Sequence, residues 1–206
     1  MLYFSGRNSG SELYRMIRSD KVARIANGIY TSDLDTPVET QVRNNIVDIL
    51  GHLGVNGILA YRSAVEFPDF GEDEMVISGT RKRDIVMPGI VIHVYAANRR
   101  DLSTQFCHKL NGARFSTGLY LPLAERAVLE NLSTARSEEK KSNRDMACKL
   151  LIDIARKNPE TVLDRMETVA HALGRTETMD EVVLLVDQWR RSSGPARRRN
   201  SGLAAT

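Results

Sequence analysis

The chain has 206 residues, 42% of them hydrophobic and 27% charged, with 29 Lys and Arg against 26 Asp and Glu for a net charge of +3. This is the composition of an ordinary globular protein, with enough chain for one medium domain or two small ones. No apolar run approaches the ~20 residues of a membrane helix, no secretory leader precedes Arg7, and the isolated Cys107 and Cys148 exclude a disulfide scaffold. A reduced, cytoplasmic setting is expected.

The charge is uneven. Residues 1–30 hold five basic residues (Arg7, Arg15, Arg18, Lys21 and Arg24) against Glu12 and Asp20. Residues 190–206 hold Arg190, Arg191, Arg197, Arg198 and Arg199 with no acid, so the stretch between is acidic. Any phosphate binding is therefore expected at the ends of the chain.

Leu2–Gly6 reads as an added leader and is assigned no element. Leu13, Met16 and Ile17 at i, i+3, i+4 predict a short helix over 9–19, with Arg15 and Arg18 on its other side. Asn27-Gly28 between Ile25 and Ile29-Tyr30 predicts a hairpin. Thr36-Pro37-Val38-Glu39 reads as a capping box, with Thr36 as cap, opening a helix to about Leu50 that Gly51 and Gly54 stop. Tyr61–Phe67 reads as a short helix. Strands are expected at Met75–Ser78, at Asp84–Met87 and Ile90–Tyr95 around a Pro88-Gly89 turn, and at Phe115–Leu121.

From Pro122 onward the pattern is helical. Leu123–Leu132 is one helix. Ser142 starts a second, Asn158-Pro159 caps a third, and 178–191 forms a fourth. Ser133–Ser142 reads as a charged linker, and the chain from Ser192 as a flexible basic tail. The expected fold is α+β, with a small antiparallel sheet and a C-terminal helical bundle.

The stretch Met16-Ile-Arg-Ser-Asp-Lys-Val-Ala-Arg-Ile-Ala-Asn-Gly-Ile-Tyr30 resembles the end of the winged helix in AbiEi-type antitoxins. Leu59-Ala-Tyr-Arg-Ser-Ala-Val-Glu66 is similar to the segment that follows the wing in that family, and Gly118–Leu132 to the stretch that ends the module. Tyr30–Glu39, Ala127–Arg136 and the helices to Trp189 also resemble the N-terminal half ahead of the catalytic domain in some bacterial Fic-family proteins. The resemblance implies a partial winged helix, because too few residues precede Asp20 for the family's two upstream helices. It implies a winged-helix-like remnant over 1–35, an α+β AbiEi-like domain over 36–132, a helical bundle over 142–191 and a flexible tail over 192–206.

Catalytic signatures are not found. None of His52, His93, His108 and His171 precedes a proline, so the His-Pro-Phe loop of Fic enzymes is missing, as is its Gly-Asn-Gly-Arg cradle. Asp33-Leu-Asp35 is the nearest match to a paired-aspartate nucleotidyltransferase pattern, but it leads into Thr36-Pro37 and reads as turn and capping chemistry. Asp69, Glu72, Asp73 and Glu74 lack the spacing of a calcium loop. His93, in a strand, reads as structural, and adjacent Cys107 and His108 point apart. No P-loop or dinucleotide fingerprint is present.

The expectation is thus a non-catalytic regulator without cofactor or metal. Its DNA-binding candidates are Arg15, Arg18, Lys21, Arg24 and Asn27. The runner-up is the N-terminal regulatory region of a Fic-family AMP-transferase whose catalytic domain is absent from this chain. Candidate partners are DNA, a cognate toxin of nucleotidyltransferase-like or Fic type, and a second copy of the chain. The copy-to-copy contact is expected at Leu185 and Trp189, because Val182–Val186 is apolar nearly all round its helix. No membrane partner is expected.

Overall fold

The structure, a computed structural model, describes residues 1–6, 10–69, 73–132 and 142–193, and it is α+β. The first unit joins three short strands, β1 (Leu2–Phe4), β2 (Ala23–Ala26) and β3 (Ile29–Thr31), in the order β1-β3-β2, with helix α1 (Gly10–Arg18) between β1 and β2. The leader expectation fails here. Leu2 pairs with Thr31 and Phe4 with Ile29, both antiparallel, and the two side chains are 4% and 2% exposed. Two apolar residues pointing the same way were enough to add an edge strand that buries them. The Phe4 ring packs edge-on against Phe115 at 4.8 Å and lies 5.0 Å from His52.

The expected helix from Thr36 is two helices, α2 (Val38–Asn44) and α3 (Ile46–His52). The break falls at Asn45, whose side-chain amide donates to the Gln41 carbonyl at 2.8 Å while its own N–H bonds to Val42. Such back-bonding competes with the regular helical ladder. Thr36 is not the cap. The Asp33 carboxylate accepts from the Thr36 and Asp35 N–H groups at 2.9 and 3.2 Å, and Pro37 occupies the cap position with no side-chain bond. Gly51 does not end the helix either; the Phe115 side chain packs where a Cβ would stand, and Gly54, at φ +62, makes the stop.

The main sheet holds β4 (Asn56–Leu59), β5 (Glu74–Gly79), β6 (Arg83–Met87), β7 (Ile90–Ala96), β8 (Cys107–Asn111) and β9 (Ser116–Pro122), in the order β6-β7-β5-β4-β9-β8. It is mixed, not antiparallel: β5 runs parallel to β7, and β4 to β9. The β6–β7 hairpin folds back so that its second strand lies beside β5, which forces the parallel pairing. Helix α4 (Arg62–Glu66) crosses at the end of β4, with the Ser63 hydroxyl accepting from the Val76 N–H at 2.7 Å. Val42, Ile49, Leu50, Ile77, Ile92 and Leu119 form the centre of this first core, onto which β1 and β3 add Phe4 and Ile29.

Helices α5 (Ala124–Leu132), α6 (Arg144–Lys157), α7 (Val162–Leu173) and α8 (Met179–Ser193) share a second core around Val128, Leu151, Met166, Val169, Val182 and Val186. Helix α6 begins at Arg144, two residues after the expected start at Ser142. Asn143 is its cap, accepting from the Met146 N–H at 3.1 Å. Asn143 also reaches Asn131 on α5 and Glu66 on α4, which ties the two cores together. Helix α7 starts after an Asn158–Thr161 turn and ends at Gly174, at φ +65. Ser192 and Ser193, expected in the tail, belong to α8. The rest of the tail, and residues 133–141 of the expected linker, lie outside the described residues. No helix among the described residues is long and apolar enough to cross a membrane.

Candidate nucleic-acid interface

Helix α1 forms because its apolar residues repeat at helical spacing, with Glu12 in the first turn and Arg15 and Arg18 towards the C-terminal end, where each charge opposes the helix dipole. Only Leu13 is buried; Met16 is half-buried and Ile17 is 38% exposed. The opposite face carries Ser11, Tyr14, Arg15 and Arg18, at i, i+3, i+4 and i+7, all exposed. The Arg18 guanidinium lies 5.3 Å from the centre of the Tyr14 ring, a cation–π contact, and Arg15 Nε donates to the Ser11 carbonyl at 3.3 Å. Sequence reasoning passed over Tyr14; its i, i+4 relation to Arg18 was the available signal.

The helix stops where the Ser19 hydroxyl donates to the Arg15 carbonyl at 2.9 Å, and Asp20, at φ +52, turns the chain into Lys21 and β2. Asp is one of the few residues that tolerate this left-handed region. In β2, Ile25 points into the core and Arg24 points out. The register slips between Arg24 and Ala26 against β3, a bulge at the hairpin end. Arg24 Nη2 donates to Asn27 Oδ1 at 3.2 Å, and its Nε donates to the Ala26 carbonyl at 3.3 Å. Asn27 therefore holds the Arg24 guanidinium at the tip of the hairpin. Gly28, at φ +75, completes the turn.

Arg15 and Arg18 thus share one helix face, Lys21 sits on the link, and Arg24 and Asn27 meet at the hairpin tip. All five are exposed, and among the described residues none of the four cations is ion-paired with a carboxylate. Cations without carboxylate partners keep their charge available to phosphates, and guanidinium groups meet them in pairs of parallel bonds.

The remaining candidates are dispersed. His93 Nδ1 lies 2.8 Å from Asp84 Oδ1 on the outer face of the sheet, with Glu74 3.9 Å from its other ring nitrogen. Hydrogen bonds from Thr36 and Asp35 hold the Asp33 carboxyl below its usual range. Asp73 pairs with Arg43, and Glu72 lies outside the described residues. Cys107 lies 3.4 Å from Arg126, and burial pushes its thiol up, while His108 beside it is exposed. Among the described residues no group of three or more His, Cys, Asp or Glu side chains is placed to hold a metal ion.

Leu185 and Trp189 are half-buried against the core that α8 shares with its own neighbours. The outward apolar residues of that helix are Val183 and Leu184, 38% and 52% exposed.

No model of a known protein family matches the chain, and no curated protein compared with it matches either. The helix–hairpin unit presents four exposed cations that, among the described residues, form no ion pair with a carboxylate.

Proposed function

We propose that the chain is a non-catalytic regulator that binds duplex DNA through α1 and the β2–β3 hairpin, in the manner of an AbiEi-type antitoxin. The observation that carries this reading is the cation set Arg15, Arg18, Lys21 and Arg24, exposed and without carboxylate partners on a helix followed by a hairpin. That order is the one in which a winged helix ends, with the helix entering the major groove and the hairpin lying beside it as a wing. The exposed Ser11–Arg18 face of α1 would meet the groove, and Arg24, steadied by Asn27, the flanking phosphates. The partner set of this reading is DNA, a cognate toxin, and a second copy meeting through α8 at Leu185 and Trp189 and the exposed Val183 and Leu184. The C-terminal helices would then serve as a helical bundle that docks proteins, and no step of the function would involve catalysis.

The test is fluorescence anisotropy of a labelled duplex with the full chain across a salt series. The slope of log affinity against log salt flattens by about 0.9 for each phosphate that the protein no longer neutralises. Replacing Arg15, Arg18, Lys21 and Arg24 by Ala together is expected to flatten the slope by about 3 to 4. Unchanged affinity and slope in that variant would refute the reading.

A further inference from the structure

We propose that the nucleic-acid surface continues from the hairpin tip across the end of α3 onto the β5–β6 turn, where Arg81, Lys82 and Arg83 contact the phosphate backbone of the same duplex. This rests on reading α1 and the hairpin as a DNA-binding unit, and it adds a second, separate segment of chain to that surface.

The continuity runs through named atoms. Asn27 draws the Arg24 guanidinium to the hairpin tip. Gly28, at that tip, faces His52, whose Nε2 stands 3.3 Å from where a Cβ on Gly28 would lie. Two residues beyond His52, the Gly54 carbonyl accepts from Arg83 Nη2 at 3.4 Å. The last turn of α3 therefore sits between two guanidinium-bearing turns, one on the small sheet and one on the large sheet. Nothing in the sequence connects them, since more than fifty residues separate Arg24 from Arg81.

The turn itself has the chemistry of a phosphate contact. Arg81, Lys82 and Arg83 are consecutive and exposed, and among the described residues none is ion-paired. The acid that follows, Asp84, is engaged by His93. Beside the turn lies a cleft of about 190 Å³ lined by Gly54, Asn56, Thr80, Arg81, Arg83 and Val94. Thr80 also lines a neighbouring hollow of about 640 Å³ that carries Arg99. The result is a strip of hydroxyl and amide groups with a guanidinium at either end. Such a strip suits a run of phosphates, which accept from side-chain hydroxyls and amides as well as from Arg and Lys. A duplex presents one negative charge per about 1.7 Å of axis, so cations on two adjoining turns meet the same backbone.

The experiment uses the full chain and a random-sequence duplex of about three helical turns. The variant Arg81→Ser/Lys82→Ser leaves the Arg83–Gly54 bond in place, and its thermal melt is compared with that of the unaltered chain to show that it folds. The expected result is a salt slope smaller by about 1.8, two phosphates at about 0.9 each. With duplex bound, Lys82 is also expected to be shielded from acetylation while Lys149, exposed on α6, reacts as before. The inference is overturned if Arg15→Ser/Arg18→Ser weakens binding while Arg81→Ser/Lys82→Ser keeps both affinity and slope and Lys82 is acetylated equally with and without duplex. The reading of α1 then stands. If the unaltered chain binds no duplex even at low salt, both fall.

Discussion

Among the described residues Arg126 is the largest of the fully buried side chains, and its removal gives the sharpest test of how the two cores are joined. Its Nε donates to Glu130 Oε1 at 2.7 Å, one helical turn along α5. Its other nitrogens donate to the carbonyls of Asp101 at 2.5 Å, of Ser103, and of Gln105 at 3.4 Å, all in the loop between β7 and β8. The Asp101 carboxylate in turn accepts from Arg175, just past α7. One guanidinium therefore fastens a sheet loop to the C-terminal helices. Arg126→Met keeps much of the volume and removes the charge and all the donors. Removing one partner of a buried pair costs about 3–5 kcal/mol, and the stranded carbonyls add about 1 kcal/mol at the low end of their range. The expected loss is about 4–6 kcal/mol, a large share of the ~5–15 kcal/mol that holds a domain folded.

The pH dependence sharpens the test. Burial pushes the Glu130 carboxyl above its ordinary range, with the Arg126 guanidinium pulling the other way. A group whose native pKa is raised holds its proton in the folded chain where the unfolded chain has lost it. Stability then falls as pH rises from the ordinary glutamate range through the raised value. Taking Arg126 away removes the main opposing influence and raises the Glu130 carboxyl further, so the deficit of Arg126→Met grows as pH rises past the raised native value of Glu130 and is smallest in acid. Urea unfolding followed by circular dichroism reads both. A deficit under about 1 kcal/mol, or one that does not change with pH, would refute the account. The double variant Arg126→Met/Glu130→Leu is expected to recover part of the stability, because it no longer strands a buried carboxylate.

Phe4→Ala is expected to lose about 3–5 kcal/mol in the same assay, since the ring fills the space between His52 and Phe115; a loss below about 1 kcal/mol would mean that β1 is not part of the core. Gly57→Ala sets a Cβ against the Ser78 carbonyl at a φ of +154, and is expected to lower the melting temperature by well over about 4 °C; an unchanged melt would refute the close approach of β4 to β5. If α8 meets a second copy, Trp189 fluorescence shifts with protein concentration and Leu184→Glu abolishes the shift, as sedimentation would confirm; an emission spectrum independent of concentration would exclude that contact.

The sequence was legible where a local pattern decides the structure. Leu13, Met16 and Ile17 mark α1, Asn27-Gly28 marks the β2–β3 turn, and Pro88-Gly89 marks the β6–β7 turn. Strands β1, β4 and β8 left no such mark. Each is three to five residues long, and β4 owes its place to parallel pairing with β9, some sixty residues away. Alternation reports which face is buried, not which strand lies alongside. The cap at Thr36 was a sound reading of its residue type, but Asp33, three residues earlier, accepts from the N–H of Thr36 itself, and the helix opens after Pro37 with no side-chain cap. The cations of the candidate interface could be named from the sequence, whereas the bond by which Asn27 steers Arg24 depends on a bulge that no residue type announces.

The packing of the small sheet implies that α1 is the loosest ordered element next to the proposed duplex. One buried side chain, Leu13, anchors its nine residues, and isolated helices this short are marginal in water. Arg15 and Arg18 sit on one face with Lys21 close behind, and without phosphates their like charges oppose the helical form. A duplex would replace that repulsion with attraction, so binding should raise the local stability of α1 more than that of the sheet. Amide hydrogen exchange measures this directly. Without DNA, the α1 amides are expected to exchange far faster than those of β7, whose Ile92 is fully buried. With a saturating duplex, α1 is expected to slow by at least about tenfold, an added local stability of about 1.4 kcal/mol, while β7 changes little. Slow exchange in α1 before DNA is added, or protection that spreads evenly over the chain, would contradict this account.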